Sequence, residues 1–301
     1  MNHASLARYA VVCRRAGVAY HSGQWAPAVP ELPDLVAVAE ELAKRASGRR
    51  VSDATAPAPI LVRATPAQLS ALVDTTLGPA SRRGKFLLLP FLRDGVPERM
   101  LVANPMLAGR FWLLEDGASK VRARTGLRLR LDDGSELRYV DREMLGKLYL
   151  VDPDALDSVP GWTELGPDAD DPALTLEHFR ERIRRHPGEL KLLLRNQHFV
   201  AGIGNAYSDE ILWAARLAPL RRRRTLSGEE VDRLYQAMRT VLADAVERLR
   251  KLVPPHIEKQ HREFLRVHLR GGEPCPRCGR TLRQIGGDEA TTFCRSCQPP
   301  F

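Results

Sequence analysis

Four of the five cysteines of this 301-residue chain stand in two pairs near its end, Cys275-Pro-Arg-Cys278 and Cys294-Arg-Ser-Cys297. Two such knuckles across a short gap bring four thiolates within reach of one tetrahedral zinc, at about 2.3 Å from each sulfur. The gap holds Gly286-Gly287-Asp288 between two β-like runs at 281–285 and 290–293. That pattern predicts a β-hairpin with one knuckle at the outer end of each strand. A redox dithiol or a pair of disulfides is the competing reading. One structural Zn2+ is the expectation, and a site closed by four protein ligands has no open position for substrate. Reaction chemistry is therefore sought elsewhere.

The chain length suits two domains plus a small metal module. The apolar share of 44% is enough for ordinary cores, and no run is long and apolar enough to span a membrane. Few cysteines outside the metal set point to a reducing, cytoplasmic setting. The net charge is +9, with Arg221 to Arg224 as an uninterrupted run. Such a balance suits a polyanion, since Lys and Arg contacts to phosphate dominate nucleic-acid affinity. A solvated basic surface is the plain alternative.

Residues 1–29 stand apart, with Arg8, Arg14 and Arg15 and no acid. From Pro30 the patterning tightens. Residues 34–44 read as an amphipathic helix with Leu35, Val38, Ala39 and Leu42 on one face. Short β-like runs follow at 60–62, 86–89, 100–102, 109–114, 127–131, 137–140 and 147–150, with Asp132-Asp133-Gly134-Ser135 as a hairpin turn. They predict an antiparallel sandwich. A linker rich in Pro, Gly and Asp covers 152–171. Helical periodicity then takes over, at 175–186, 189–196 and 208–218. A capping box at Ser227-Gly-Glu-Glu230 opens a long helix that stops before Pro254-Pro255.

Between the second and third of these helices lies Gly202-Ile-Gly-Asn205. Its glycines permit close backbone approach. The helix that starts at about 205–208 has free N–H groups suited to a phosphate, to which Asn205 could add a side-chain donor. A tight helix connection capped by Asn is the alternative. Taken with the terminal four-cysteine ribbon, this turn resembles the Fpg/Nei family of DNA glycosylases. Pro30-Glu31-Leu32-Pro33-Asp34-Leu35 is similar to that family's opening, and residues 82–89, around Lys85, to its lysine-bearing strand.

The resemblance implies an α+β fold: a catalytic β-sandwich domain over 30–151, a linker over 152–174, a helix–two-turns–helix DNA-binding domain over 175–270 and a zinc finger over 271–301. It implies a base-excision repair enzyme acting on damaged double-stranded DNA as a monomer in the bacterial cytoplasm. Pro30 would be the nucleophile, attacking C1′ of the damaged nucleotide through a free N-terminal amine. Glu31 would be its acid partner, given an environment that raises its pKa. Lys85 would contact phosphate near the lesion, and Asn205 the DNA backbone. Met106 would fill the hole left by the everted nucleotide.

Several positions depart from the family pattern. Pro30 follows 29 residues here, and an amide nitrogen is no nucleophile. Translation from a GTG codon at Val29 would free it; a removed leader is the second possibility. The intercalation loop reads Asp141-Arg142-Glu143-Met144-Leu145-Gly146, with Met144 where relatives have the arginine that probes the orphan base and Leu145 as the wedge. A methionine cannot hydrogen-bond an estranged cytosine, which argues against strict opposite-cytosine selectivity. Glu289 replaces the finger arginine, and His198 a lysine. The leading expectation is a bifunctional glycosylase and abasic-site lyase; the alternative is a catalytically impaired damaged-DNA-binding protein of the same fold.

Overall fold

The computed structural model describes residues 29–115, 121, 123–287 and 290–299; the leader up to residue 28 and Glu289 lie outside them. Helix α1 (Leu32–Ala46) opens the described chain, with Pro33 in its first turn, where a missing N–H costs nothing. The Asp34 carboxylate turns back to accept the N–H of Glu31 at 2.8 Å and so fixes the helix entry. α1 buries Leu35, Ala39 and Leu42 on its inner face.

Two sheets follow. The first runs in the order β1 (Val51–Thr55), β8 (Thr125–Leu131), β9 (Glu136–Asp141) and β7 (Gly109–Leu114). The second runs β2 (Val62–Arg63), β10 (Lys147–Val151), β6 (Val96–Asn104), β5 (Phe86–Arg93) and β3 (Thr76–Leu77), with β4 (Ser81–Arg83) also on β5. All pairs are antiparallel except β2 with β10. Alternate residues (Leu87, Leu89 and Phe91 of β5, Leu127, Leu129 and Leu131 of β8) point into one shared core, as a two-residue period requires. The predicted turn joins β8 to β9: Gly134 takes φ +86°, and Asp133 Oδ1 accepts from the N–H and hydroxyl of Ser135. Two readings change. Residues 59–61 form a 3-10 turn rather than a strand, because Pro59 sets the first φ and supplies no ladder donor. Lys85 sits in the tight turn between β4 and β5, beside Gly84 at φ +54°, and not within a strand.

The helical half contains α3 (Leu176–Arg185), α4 (Leu190–Arg195), α5 (Asn205–Ala215) and α6 (Gly228–Leu252); a short helix, α2 (Pro66–Ser70), lies back in the sandwich half. Thr175 caps α3, and Ser227 with Glu230 forms the predicted capping box of α6. The buried stripe of α6 is Leu234, Met238, Leu242, Ala245 and Leu249. Two large cores result, and helices α1 and α6 contribute to both: Ala39, Leu42 and Leu249 to the sandwich core, Leu32, Leu234 and Met238 to the helical one. The chain ends in the hairpin β11 (Arg283–Ile285) and β12 (Thr291–Phe293), paired antiparallel. No helix among the described residues is long and apolar enough to cross a membrane.

Candidate active site and metal centre

Helix α5 begins three residues before the segment whose periodicity announced it, and the cause lies far away in sequence. The Glu31 carboxylate, 2% exposed, accepts the backbone N–H groups of Gly204 at 2.5 Å, Ala206 at 2.8 Å and Tyr207 at 3.3 Å. The helix N-terminus is thus capped by a side chain from the start of α1. Those N–H groups, expected as a phosphate cradle, are already taken. The two glycines now have distinct reasons. Gly202 has φ +99° and packs on Leu32, while a Cβ on Gly204 would stand 2.5 Å from Glu31 Cδ and 2.7 Å from Lys85 Nζ.

Lys85 Nζ and Glu31 therefore meet over the Gly204 backbone. Burial lowers the lysine's pKa, and the Glu31 charge opposes that shift. Pro30 is buried and lines a cleft with Asp34, Leu87, Arg110, Lys259 and Gln260. Arg110 bridges β7 to the segment after α6 through Gln260 Oε1 at 2.8 Å. Arg262, on the same segment, donates to Asp34 Oδ2 at 2.6 Å and lies over the Tyr207 ring at 5.0 Å. Neither Arg110 nor Arg262 was legible as a site residue, since a lone Arg at the start of a strand or in a charged segment looks like solvated surface.

The two loops proposed to enter DNA share an unusual backbone. Met106 has φ +49° and Met144 φ +56°, a left-handed conformation that side-chain-bearing residues adopt rarely and often at functional positions. Asn104 Oδ1 accepts the Met106 N–H at 3.2 Å. Asp141 gathers the second loop by accepting the N–H groups of Glu143 at 3.0 Å, Leu145 at 3.0 Å and Gly146 at 2.5 Å. Between the loops stands the buried Tyr139, against which a Cβ on Gly109 or Gly146 would collide at 1.8 or 1.9 Å from its hydroxyl. Burial, with Asp141 nearby, pushes that phenol far above its ordinary range.

At the far end, the Sγ atoms of Cys275, Cys278, Cys294 and Cys297 lie within 4.8 Å of one another. Two of the spacings are 3.9 Å (Cys275–Cys297) and 3.6 Å (Cys278–Cys294). A tetrahedron of 2.3 Å metal–sulfur bonds has edges of about 3.8 Å, so the four thiols fit one such ion. The Trp213 indole N–H donates to Cys275 Sγ at 3.5 Å.

Two buried acids of α5 fasten this module. Asp209 accepts from Lys191 Nζ at 2.6 Å and from the Thr292 N–H, and faces His268 Nδ1 at 2.9 Å. Glu210 accepts the N–H groups of Arg266, Val267 and His268. Asn205 Nδ2 donates to the Ala290 carbonyl at 3.1 Å, placing that residue at the seam between α5 and the hairpin. His198 faces Glu164 at 3.8 Å.

The N-terminal domain of formamidopyrimidine-DNA glycosylase matches residues 29–148, and the H2TH domain of the same enzyme matches residues 165–253. A formamidopyrimidine-DNA glycosylase of Symbiobacterium thermophilum is 35% identical over 279 residues, covering 90% of both chains. One of Heliobacterium modesticaldum is 36% identical over 280 residues, covering 90% of this chain and all of the relative. The fold is similar to wild-type Lactococcus lactis Fpg bound to DNA containing N7-benzyl-Fapy-dG, with a TM-score of 0.81, 26% identity, and coverage of 90% and 100% of the two chains. It is also similar to the Lactococcus lactis Fpg complex with abasic-site DNA, with a TM-score of 0.78, 26% identity, and coverage of 89% and 99%. With a sandwich, a Gly-Ile-Gly-Asn helical turn and a four-cysteine hairpin in this order, the chain belongs to the formamidopyrimidine-DNA glycosylase family.

Proposed function

We propose that this protein is a base-excision repair glycosylase that removes oxidised bases from duplex DNA and cleaves the strand through a Schiff base on Pro30. The observation that carries the proposal is the meeting of Pro30, Glu31, Lys85 and the 202–205 turn at one place, from three separate stretches of chain. A secondary amine at Pro30 attacks C1′ with its lone pair, the C1′–base bond breaks with its electron pair leaving on the base, and the amine N–H proton passes to the Glu31 carboxylate. Ring opening then leaves an iminium, and the O4′ atom takes a proton from Glu31. The iminium acidifies C2′; loss of that proton expels the 3′ phosphate by elimination. Lys85 is suited to a phosphate beside the lesion. Met106 and Leu145 are suited to occupy the space of the everted nucleotide, offsetting part of the few kcal/mol that eversion costs.

The four cysteines would hold one structural zinc that fixes the hairpin beside α5. By this reading residues 30–151 are the catalytic domain, 175–270 bind DNA with Asn205 at the backbone, and 271–301 form the finger of a monomeric, cytoplasmic enzyme. The mechanism requires a free Pro30 nitrogen, whereas in the 301-residue chain that nitrogen is acylated by Val29. That bond favours the second reading, a protein that binds damaged DNA without cutting it. Borohydride trapping on an abasic-site duplex separates the two. A covalent adduct formed by protein starting at Pro30, and lost in Pro30→Gly, supports the enzyme. Its absence from both the full chain and the Pro30-start protein sinks the enzyme reading.

A further inference from the structure

Arg262 lies on the segment that leads from α6 to the metal hairpin, yet its side chain reaches the start of α1 and is only 11% exposed. Its Nη2 is 2.6 Å from Asp34 Oδ2 and 3.5 Å from the Val29 carbonyl oxygen. That oxygen is two bonds from Pro30 N, so the guanidinium lies no more than about 6 Å from the nitrogen. Asp34 Oδ2 also accepts the Glu31 N–H at 2.8 Å. Arg262, Asp34 and the Pro30–Glu31 peptide thus form one chain of contacts. The guanidinium is only partly satisfied, because its Nε and Nη1 are buried without a hydrogen-bond partner among the described residues. Its flat face rests on Tyr207 instead.

Other charges surround the same point. Glu31 comes from the cap of α1 and Asp34 from its first turn, Lys85 from the β4–β5 turn, Arg110 from β7 and Lys259 from the segment after α6. The positive charge of Arg195 in α4 also acts on Lys85. Two carboxylates beside an amine stabilise its protonated form, which has no lone pair to attack carbon. A neighbouring cation acts in the opposite sense. Lys85 is placed to pair with Glu31; Arg262 is the cation that meets Asp34.

We propose that Arg262 is a positioning residue that neutralises Asp34 and holds the Pro30 amine in its unprotonated, nucleophilic form at neutral pH. The proposal rests on the reading of Pro30 as the nucleophile. It assigns a role in the chemistry to the segment between α6 and the hairpin.

The test is the pH profile of single-turnover borohydride trapping on an abasic-site duplex, using zinc-loaded protein that starts at Pro30, with the full chain run alongside. Arg262→Gln should move the acidic limb of the profile upward by about one pH unit, with trapping near pH 7 slowed up to about tenfold. Arg262→Lys should restore most of the wild-type profile. Asp34→Asn, which leaves the cation unopposed, should move the limb the other way, so a poorly folding Arg262 variant does not end the test. An acidic limb unmoved by both Arg262→Gln and Asp34→Asn overturns the proposal, whatever the change in rate. Absence of any adduct from the wild-type Pro30-start protein removes the nucleophile itself, and the role of Arg262 with it.

Discussion

Glu31 Oε2 accepts the backbone N–H of Gly204 at 2.5 Å, across 173 positions of sequence. One contact thereby fixes both the carboxylate proposed for proton transfer and the first turn of α5. Gly204 has an ordinary extended backbone, φ −127° and ψ −150°, so alanine there meets no conformational penalty. Its methyl group would instead push on Glu31 and Lys85. Gly204→Ala should remain folded yet trap abasic-site DNA about 100-fold more slowly, the usual cost of an ångström-scale misplacement. A thermal melt beside the trapping rate separates this outcome from unfolding.

Glu136 offers a stability test away from the site. It is fully buried, and although burial pushes its pKa up, hydrogen bonds from Arg128, Arg138 and Arg130 outweigh that and hold it down at about 2. Because the folded value lies below the ordinary carboxyl value of 4.5, the stabilisation is complete above about pH 4.5 and is lost as pH falls toward 2. Glu136→Gln should cost about 3 kcal/mol at pH 7, since it removes the charge that faces the buried Arg138 and the half-buried Arg128. The gap to wild type should narrow below pH 4, as urea titrations at both pH values would reveal.

The intercalating loop makes a prediction about selectivity. Met144 cannot hydrogen-bond a base, and its φ of +56° already matches a loop shaped by Asp141. Met144→Arg should raise discrimination for cytosine over adenine opposite the lesion by about tenfold, the lower part of the range for a base-edge contact. Cleavage rates on duplexes differing only in the opposing base check this. Equal rates with all four bases would count against the assignment of this loop.

The seam of α5 with the hairpin predicts an unequal pair of effects. Asp209→Ala leaves the buried Lys191 charge with only the Ala290 carbonyl and no carboxylate, and should destabilise the protein by about 3–5 kcal/mol. Replacing both residues with apolar ones should recover much of that loss in the same urea titration. A chelator strong enough to strip the four-cysteine site should release one zinc per chain and weaken DNA binding reversibly. Metal analysis and fluorescence anisotropy would follow the two together.

Much of this architecture could be read from local pattern. Leu234, Met238, Leu242 and Leu249 announced α6, and Ser227 with Glu230 marked its start, because the whole signal lies within one helix. The strands of the sandwich alternate clearly wherever one face is buried. What sequence hid was supplied from a distance. The start of α5 depends on a carboxylate from α1, and its end on Arg216 in a left-handed cap (φ 58°), which leaves Leu217 and Ala218 buried but not helical. Asp209 and Glu210 look like solvent-facing acids in a helix, yet Asp209 anchors the hairpin at Thr292 and Glu210 the segment that leads to it at 266–268. Arg262 reaches its partners only after α6 and the loop beyond it have folded back. Helix α2 did carry a signal, the Thr65–Gln68 capping box, but five residues are too few for periodicity to register.

Helix α1 buries residues in both large cores, and the proposed amine and acid stand immediately before its first turn. The two halves of the molecule cannot slide past each other without dragging that turn out of register with the glycine backbone it leans on. A newly made or partly melted chain would therefore present no competent blade to DNA. Under the proposed mechanism, strand scission would wait until assembly is finished.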